Sequence, residues 1–216
     1  RPFRVGTANT LANAALEVET LTGAELGGEF SAGPVRLEAT GFVNELRDAV
    51  GNVTLSSTPT LITRQRQNID EVRVRGLELG ARWQAHRTLE LRANYLWSEA
   101  EVRVARAQPS LVGKRLAQVP LHKFTLGATW AAPGGVEVRT LLRGTSQQFE
   151  DDENRLSLRA ATTVDFQVER ALGRRARVFA AVENAFNERV ATSRNPTGLL
   201  TYDAPRWVRG GVRWSW

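Results

Sequence analysis

Between Leu156 and Glu169 the chain reads LSLRAATTVDFQVE, and at a period of two it sorts into two faces. Leu156, Leu158, Ala160, Thr162, Val164, Phe166 and Val168 share one side, opposite Ser157, Arg159, Ala161, Thr163, Asp165, Gln167 and Glu169. Such alternation predicts a β-strand with one apolar and one polar side, and a long one. The pattern recurs over Ala24–Phe30, Val35–Val43, Leu77–Trp83, Leu89–Trp97, Phe124–Trp130, Val136–Leu142, Ala176–Val182 and Val208–Trp216. About nine strands result, with little room for a helix. Two of them lose phase: Val72 and Val74 are out of step with Leu77 and Leu79, and Val102 and Val104 with Tyr95 and Trp97. Gly76 is the expected site of a bulge in the first.

The connections alternate in kind. SAGP (Ser31–Pro34), QAHR (Gln84–Arg87), APGG (Ala132–Gly135) and LGRR (Leu172–Arg175) are tight turns. Long polar stretches lie between them, around Glu45–Asn68, Glu99–Pro120, Gln147–Arg155 and Asn187–Pro205, and are expected to be loops. Phe30, Trp83, Trp130 and Trp216 fall on the apolar face beside the short-turn end, where an interfacial aromatic girdle belongs. An antiparallel up-and-down meander with short turns at one end and long loops at the other is the layout of an outer-membrane barrel. A soluble β-sandwich also alternates, but its strands run to about five or six residues, whereas several here reach the roughly nine that cross a bilayer. Strict alternation of short and long connections has no counterpart in a sandwich.

Composition narrows the choice further. No run approaches the roughly 18 to 20 apolar residues of a membrane-spanning helix. Cysteine is absent, which removes disulfides and thiolate chemistry. The chain has no Met and no leader pattern, so its start is expected to be a cut inside a longer chain. The formal charge of +6 would suit nucleic acid, but Lys114 and Lys123 are the only lysines and the arginines are spread along strands, so the patch such binding requires is missing.

Two ends of the chain resemble the TonB-dependent outer-membrane receptors. RPFRVGTANTLANAALEVETLTGAELG is similar to that family's FRAPT block and the L.PE....E.G pattern after it: Phe3, Arg4 and Thr7 match, with Glu19 and Glu25, while Val5 and Gly6 replace Ala and Pro. VENAFNERV resembles ENLF through Glu183, Asn184 and Phe186, and Pro205 and Arg206 match a PGR without its Gly. Between them RVRGLELGARW and VPLHKFTLGATW resemble the family's GLE and VP.H strands. The resemblance implies the carboxy-terminal part of a barrel of about 22 strands, with residues 1–18 a loop-like lead-in and 19–216 the strands. It also implies uptake of a scarce nutrient, an iron chelate or a cobalamin, across a Gram-negative outer membrane. The implied partners are outer-membrane lipid, the barrel-assembly machinery, the small-molecule metal chelate and TonB, the last through a plug that this stretch does not include. Runner-up readings are a non-transporting barrel that serves as an adhesin or structural protein, and a soluble carbohydrate-binding sandwich.

Individual side chains offer little catalytic chemistry. His86 lies in a tight turn and His122 follows Pro120 at a strand start, and neither has the nucleophile and orienting carboxylate of a triad. No enzyme and no cofactor are expected. The acidic run Glu150–Asn154 lacks the spaced ligands of a calcium loop and is expected to be a solvated loop tip. Gln147, Gln148, Phe149 and Tyr202 are loop residues and so candidates for touching a ligand, but nothing sets them apart from ordinary loop chemistry, and the sequence assigns no ligand-binding residue. The strongest functional pattern is terminal: Arg209, Gly211, Trp214 and Trp216 resemble the signal read by the barrel-assembly machinery, and the aromatics are expected to serve the lipid-contacting girdle as well.

Overall fold

The computed structural model describes residues 2–5 and 8–214. The chain forms β1 (Phe3–Val5), β2 (Ala8–Leu11), β3 (Thr20–Ala32), β4 (Val35–Ser57), β5 (Ile62–His86), β6 (Leu89–Val104), β7 (His122–Ala132), β8 (Val136–Thr145), β9 (Gln148–Phe149), β10 (Ser157–Leu158), β11 (Ala161–Leu172), β12 (Ala176–Glu183), β13 (Ala191–Arg194), β14 (Leu200–Tyr202) and β15 (Trp207–Trp214). The long strands pair antiparallel in chain order, β3-β4-β5-β6-β7-β8-β11-β12-β15, which is the nine-strand meander that the alternation predicts. β9 and β10 pair with each other, as do β13 and β14, within the long connections.

One row of paired residues shows why the sheet holds its register. Val35, Trp83, Leu91, Ala128, Thr140, Phe166, Val182 and Val208 lie side by side across eight strands on the apolar face. A slip of one residue would turn a strand's apolar set to the other side. That other side carries ion pairs between and along strands: Arg36 with Glu29 and Glu38, Arg82 and Arg92 with Glu90, Arg143 with Asp165, and Arg177 and Arg213 with Glu169. The apolar face is bare, with Phe30, Trp83 and Trp130 all exposed at the short-turn end. At its opposite margin Trp97 pairs with His122, and the hydroxyl of Tyr95 meets His122 Nδ1 at 2.8 Å. Beyond it on the same side stand Arg75 and Glu99, joined at 2.5 Å.

The structure corrects several expectations. Much of Glu45–Asn68 is strand, not loop: β4 has 23 residues and β5 has 25. At about 3.3 Å per residue the hairpin is roughly 75–80 Å long, far more than a bilayer requires, and in the half away from the short turn Ala49, Val53, Ile62 and Ile69 are buried among mostly polar neighbours. Part of Glu99–Pro120 likewise continues β6. The strand expected from Leu156 to Glu169 breaks at Arg159 and Ala160, because Ser157 and Leu158 pair with Phe149 and Gln148 instead of with β8. The lead-in contains β1 and β2, and β2 runs parallel to the first residues of β5. β6 pairs with β5 only from Glu71 onward, so the edge of β5 before that point is open to another strand.

Gly76 is not a bulge. It pairs regularly with Phe42 on one side and Ser98 on the other, and a Cβ there would lie 2.3 Å from Phe42 Cζ. The irregularities of β5 against β6 fall at Glu71/Val72 and Gln84/His86. The same device recurs twice, with Phe124 opposite Gly144 and Phe179 opposite Gly211, each ring lying over a glycine directly across the sheet. The lost phase of Val72 and Val102 has a different cause: with Ala49, Val53, Ile69, Ala105 and Leu111 they form the buried core, under the connection that follows β6.

Candidate binding site at the long-loop end

The β6–β7 connection folds back on the strands it joins. Arg106 N donates to Asp70 Oδ2 at 2.7 Å, Gly113 N to the Val102 carbonyl, and Leu116 N to the Ala100 carbonyl. These bonds lower Leu111 onto Val72 and Val102, where only 2% of it stays exposed. Burial of that leucine is worth about 1.5–3 kcal/mol, enough to hold a polar connection in place. Gln118 N then donates to the Phe149 carbonyl at 2.7 Å, which ties the next connection to this one.

The acidic run Glu150–Asn154 is the knot between them, and the expectation of a solvated tip is wrong for it. Glu150 and Asp151 are buried, at 8% and 6% exposure. Asp151 accepts the backbone N–H groups of Arg155 and Leu156 and shapes its own turn. Asp152 reaches the β4–β5 hairpin, accepting from Thr54 N at 2.9 Å and Thr54 Oγ1 at 2.6 Å. The side-chain amide of Asn154 clamps Arg115 on both sides, accepting its N–H and donating to its carbonyl, both at 2.8 Å. Glu150 accepts from Gln118 Nε2 at 3.0 Å and lies 3.8 Å from Arg64. Buried carboxylates survive only where such donors replace water.

Between the hairpin and the two connections lies a cavity of about 260 Å³, bordered by Asn52, Arg64, Leu111, Arg115, Gln118 and Asp152. The guanidinium of Arg115 stacks over Phe149, 4.8 Å from the ring centroid. Of the four loop residues proposed from sequence to touch a ligand, Phe149 is therefore at this site and Gln148 adjoins it in β9. Gln147 is exposed, and Tyr202 lies in β14, away from the cavity. Arg64, Arg115 and Asn154 carried no signal of their own: each sits in a polar stretch, and only the folding of distant segments brings them together.

The closing region is built by the ENAFN residues. Asn184, 7% exposed and with φ of 50°, accepts from Glu188 N and donates to the Glu188 carbonyl, both at 2.8 Å. Asn187 Oδ1 accepts from Arg206 N at 3.0 Å, so the turn after β12 also aims the entry to β15. In β15, Arg209 pairs with Glu183 at 3.0 Å and packs over Trp207, Gly211 lies under the Phe179 ring, and Trp214 is exposed on the apolar face. Trp216, like Gly6 and Thr7 of the amino-terminal block, lies outside the described residues.

The family model described as TonB dependent receptor-like, beta-barrel matches residues 3–185. Among solved structures, the copper transporter OprC superposes with a TM-score of 0.75 at 16% identity, over 94% of this chain and 32% of that one. The ferric yersiniabactin uptake receptor FyuA from Yersinia pestis gives 0.74 at 18% identity, over 91% and 30%. The ferric citrate transporter FecA gives 0.72 at 19%, over 89% and 31%. At these identities the likeness is one of fold, and the chain spans about a third of the length of each. No curated protein matches the sequence.

Proposed function

The chain belongs to the TonB-dependent receptors, and from that premise we propose that it supplies barrel wall and extracellular loops to a Gram-negative outer-membrane receptor that imports a scarce nutrient as a small-molecule metal chelate. The observation that carries this is the pairing of a bare apolar face, with aromatics exposed at its short-turn margin, with an ion-paired opposite face. An exposed apolar band of that kind calls for lipid, and a charged inner face calls for water or protein. Ordered connections at one end then give the wall a place to hold a ligand, and the fold is shared with receptors for ferric yersiniabactin and ferric citrate and with a copper transporter. TonB would act through a plug, which this stretch of chain does not include. On the same reading, Arg209, Gly211, Trp214 and Trp216 form the strand end read by the barrel-assembly machinery.

The test is genetic. A strain that lacks the intact gene is grown on a panel of iron chelates, a copper chelate and cobalamin, each as the sole source of its metal, with and without TonB. Loss of growth on one member, reproduced by loss of TonB, is expected. Growth unchanged across the panel would leave the non-transporting barrel, an adhesin or structural protein, as the better reading.

A further inference from the structure

We infer that Arg170, seconded by Arg174, holds the phosphate of an anionic glycerophospholipid in the leaflet on the short-turn side of the membrane. The inference rests on the barrel-wall reading and adds a partner to the outer face of that wall. Its starting point is a charge on the apolar side. Along β11 that side runs through Val164, Phe166 and Val168 and then meets Arg170, whose neighbours in register are Val136 and Val178, with Ala132 and Val212 beyond them. Among the described residues Arg170 is the only Arg, Lys, Asp or Glu at an apolar-side position of the nine paired strands between the row of Phe166 and the short turns. The carboxylates nearest in register lie on the other side and are engaged, Glu169 by Arg177 and Arg213, and Glu137 by Arg139. Among the described residues no carboxylate lies within ion-pair distance of Arg170 or Arg174.

The level of Arg170 on the sheet identifies what it meets. One row towards the middle of the band, Trp130 lies in register with Val138 and Val168; one row towards the turns, Trp214 lies in register with Ala176 and Leu172. Both tryptophans are exposed, so Arg170 stands within the aromatic girdle, at the height where hydrocarbon gives way to headgroups. An arginine that faces lipid is costly at the midplane and nearly free there, because its stem lies along apolar surface while its charge reaches the interface. Its planar fork fits two oxygens of a phosphate. The β11–β12 turn supplies the second cation. Arg174 follows Gly173, whose φ is 73°, and is exposed; Arg175 beside it is exposed too but already engaged. The neighbouring turn Pro133–Gly135 carries no charge, and nothing lies within 4 Å of where a Cβ of Gly134 would stand, so that flank is open. Of the four short turns, SAGP and APGG are uncharged and QAHR has a single arginine, Arg87, so the positive charge is gathered at one hairpin instead of ringing the wall. Gathered charge of this kind selects an anionic headgroup at one place.

The experiment uses the intact receptor purified in detergent, with phosphatidylglycerol and phosphatidylcholine as probes and native mass spectrometry to count the lipids retained. The wild type is expected to retain phosphatidylglycerol in preference to phosphatidylcholine. Inorganic phosphate in large excess should not displace it, because free phosphate lacks the chains that lie on the apolar face. For Arg170→Gln, affinity for phosphatidylglycerol should fall roughly ten- to a hundred-fold, the loss of a charge-assisted pair, and for Arg174→Gln by less. Arg170→Lys keeps the charge without the fork and should recover only part of the loss, while Arg87→Gln, at a different short turn, should change nothing. Heat-modifiable migration on gels verifies that each variant folds, and Arg174→Gln, in an exposed turn, carries the test if Arg170→Gln does not. Unchanged retention in Arg170→Gln and Arg174→Gln, an equal fall in Arg87→Gln, displacement by inorganic phosphate, or no preference between the lipids overturns the inference alone, since the growth panel tests the receptor reading separately. A wild type that stays dissolved without detergent and takes up neither lipid would sink the barrel-wall reading together with the inference.

Discussion

Two of the three glycine–phenylalanine pairs differ in a way that a double-mutant cycle can read. A Cβ added at Gly144 would sit 2.2 Å and 2.3 Å from Cε1 and Cζ of Phe124, and its third neighbour is also a Phe124 ring atom, at 3.1 Å. A Cβ at Gly76 meets Phe42 Cζ at 2.3 Å but also the backbone carbonyl oxygen of Trp97 at 2.6 Å. A ring can swing away about its χ1; a carbonyl locked in a ladder cannot. Gly144→Ala and Gly76→Ala should each cost about 1–3 kcal/mol, the usual range for overpacking. Their rescue should differ. Combined with Phe124→Ala, the Gly144 change loses its obstruction, so the coupling energy should recover most of its cost. Combined with Phe42→Ala, the Gly76 change keeps its clash with the carbonyl, and at least about 1 kcal/mol should remain.

The assay is urea unfolding of the intact barrel refolded into lipid vesicles, followed by tryptophan fluorescence, with both cycles measured at one lipid composition. Equal rescue at the two sites would refute the assignment of the Gly76 constraint to the Trp97 backbone. No rescue at either would refute the role of the rings.

Further outcomes follow from the same geometry. Phe166 lies midway along β11 on the apolar face, so Phe166→Arg should destabilise the refolded barrel by about 2–4 kcal/mol while Gln167→Arg is nearly free; equal costs would mean that the faces are misassigned. Asp152→Ala removes two bonds to Thr54, and amide exchange at Thr54 should accelerate roughly ten-fold, as loss of about 1–2 kcal/mol of local protection implies, with exchange in β7 and β8 unchanged; a protected Thr54 amide would show that the loops are held by something else. The 216-residue chain expressed alone should aggregate or stay bound to detergent, and a soluble monomer that melts cooperatively would contradict the barrel-wall reading.

The strands were legible where their two faces meet different surroundings. Val164 and Phe166 against Asp165 and Gln167 declare a side each, and no partner need be known to read them. Legibility ends where that contrast ends. From Glu45 to Asn68 the apolar residues Leu46, Ala49, Val53 and Ile62 are scattered without a clean alternation, and the segment looks like a loop although Arg47 pairs with Glu71 and Ala49 with Ile69 in the ladder. Composition likewise marks Glu150–Asn154 as acidic but cannot say that Thr54, 98 residues away from Asp152, supplies its donors. Gly76 reads as a bulge until the register sets Phe42 opposite it. The cavity at the long-loop end was least legible of all, because Phe149 and Asn154 reach Arg115 only after two connections have folded on one hairpin.

The edges of the sheet bear on how such a wall can exist. β3 pairs only with β4 along its length, and β15 only with β12. Neither outer edge has a partner among the described residues, although both strands carry exposed apolar side chains, Leu26 and Phe30 on one and Val208, Val212 and Trp214 on the other. In water an open edge invites aggregation; in hydrocarbon each unpaired N–H and C=O costs several kcal/mol, so over the thirteen residues of β3 the penalty would exceed the net stability of a typical domain. Closing these nine strands on one another would remove the edges but narrow the interior. The charged side faces inward, and Arg82, Arg92, Arg139, Arg177 and Arg213 with their carboxylates would then compete for space inside a small ring. A wide interior relieves that crowding, and a wide interior needs more strands. On the proposed barrel-wall reading, the ion-paired face and the two open edges call for the same thing, further strands beside this wall, and strands that pair with the edges of β3 and β15 in the intact protein are the expected finding.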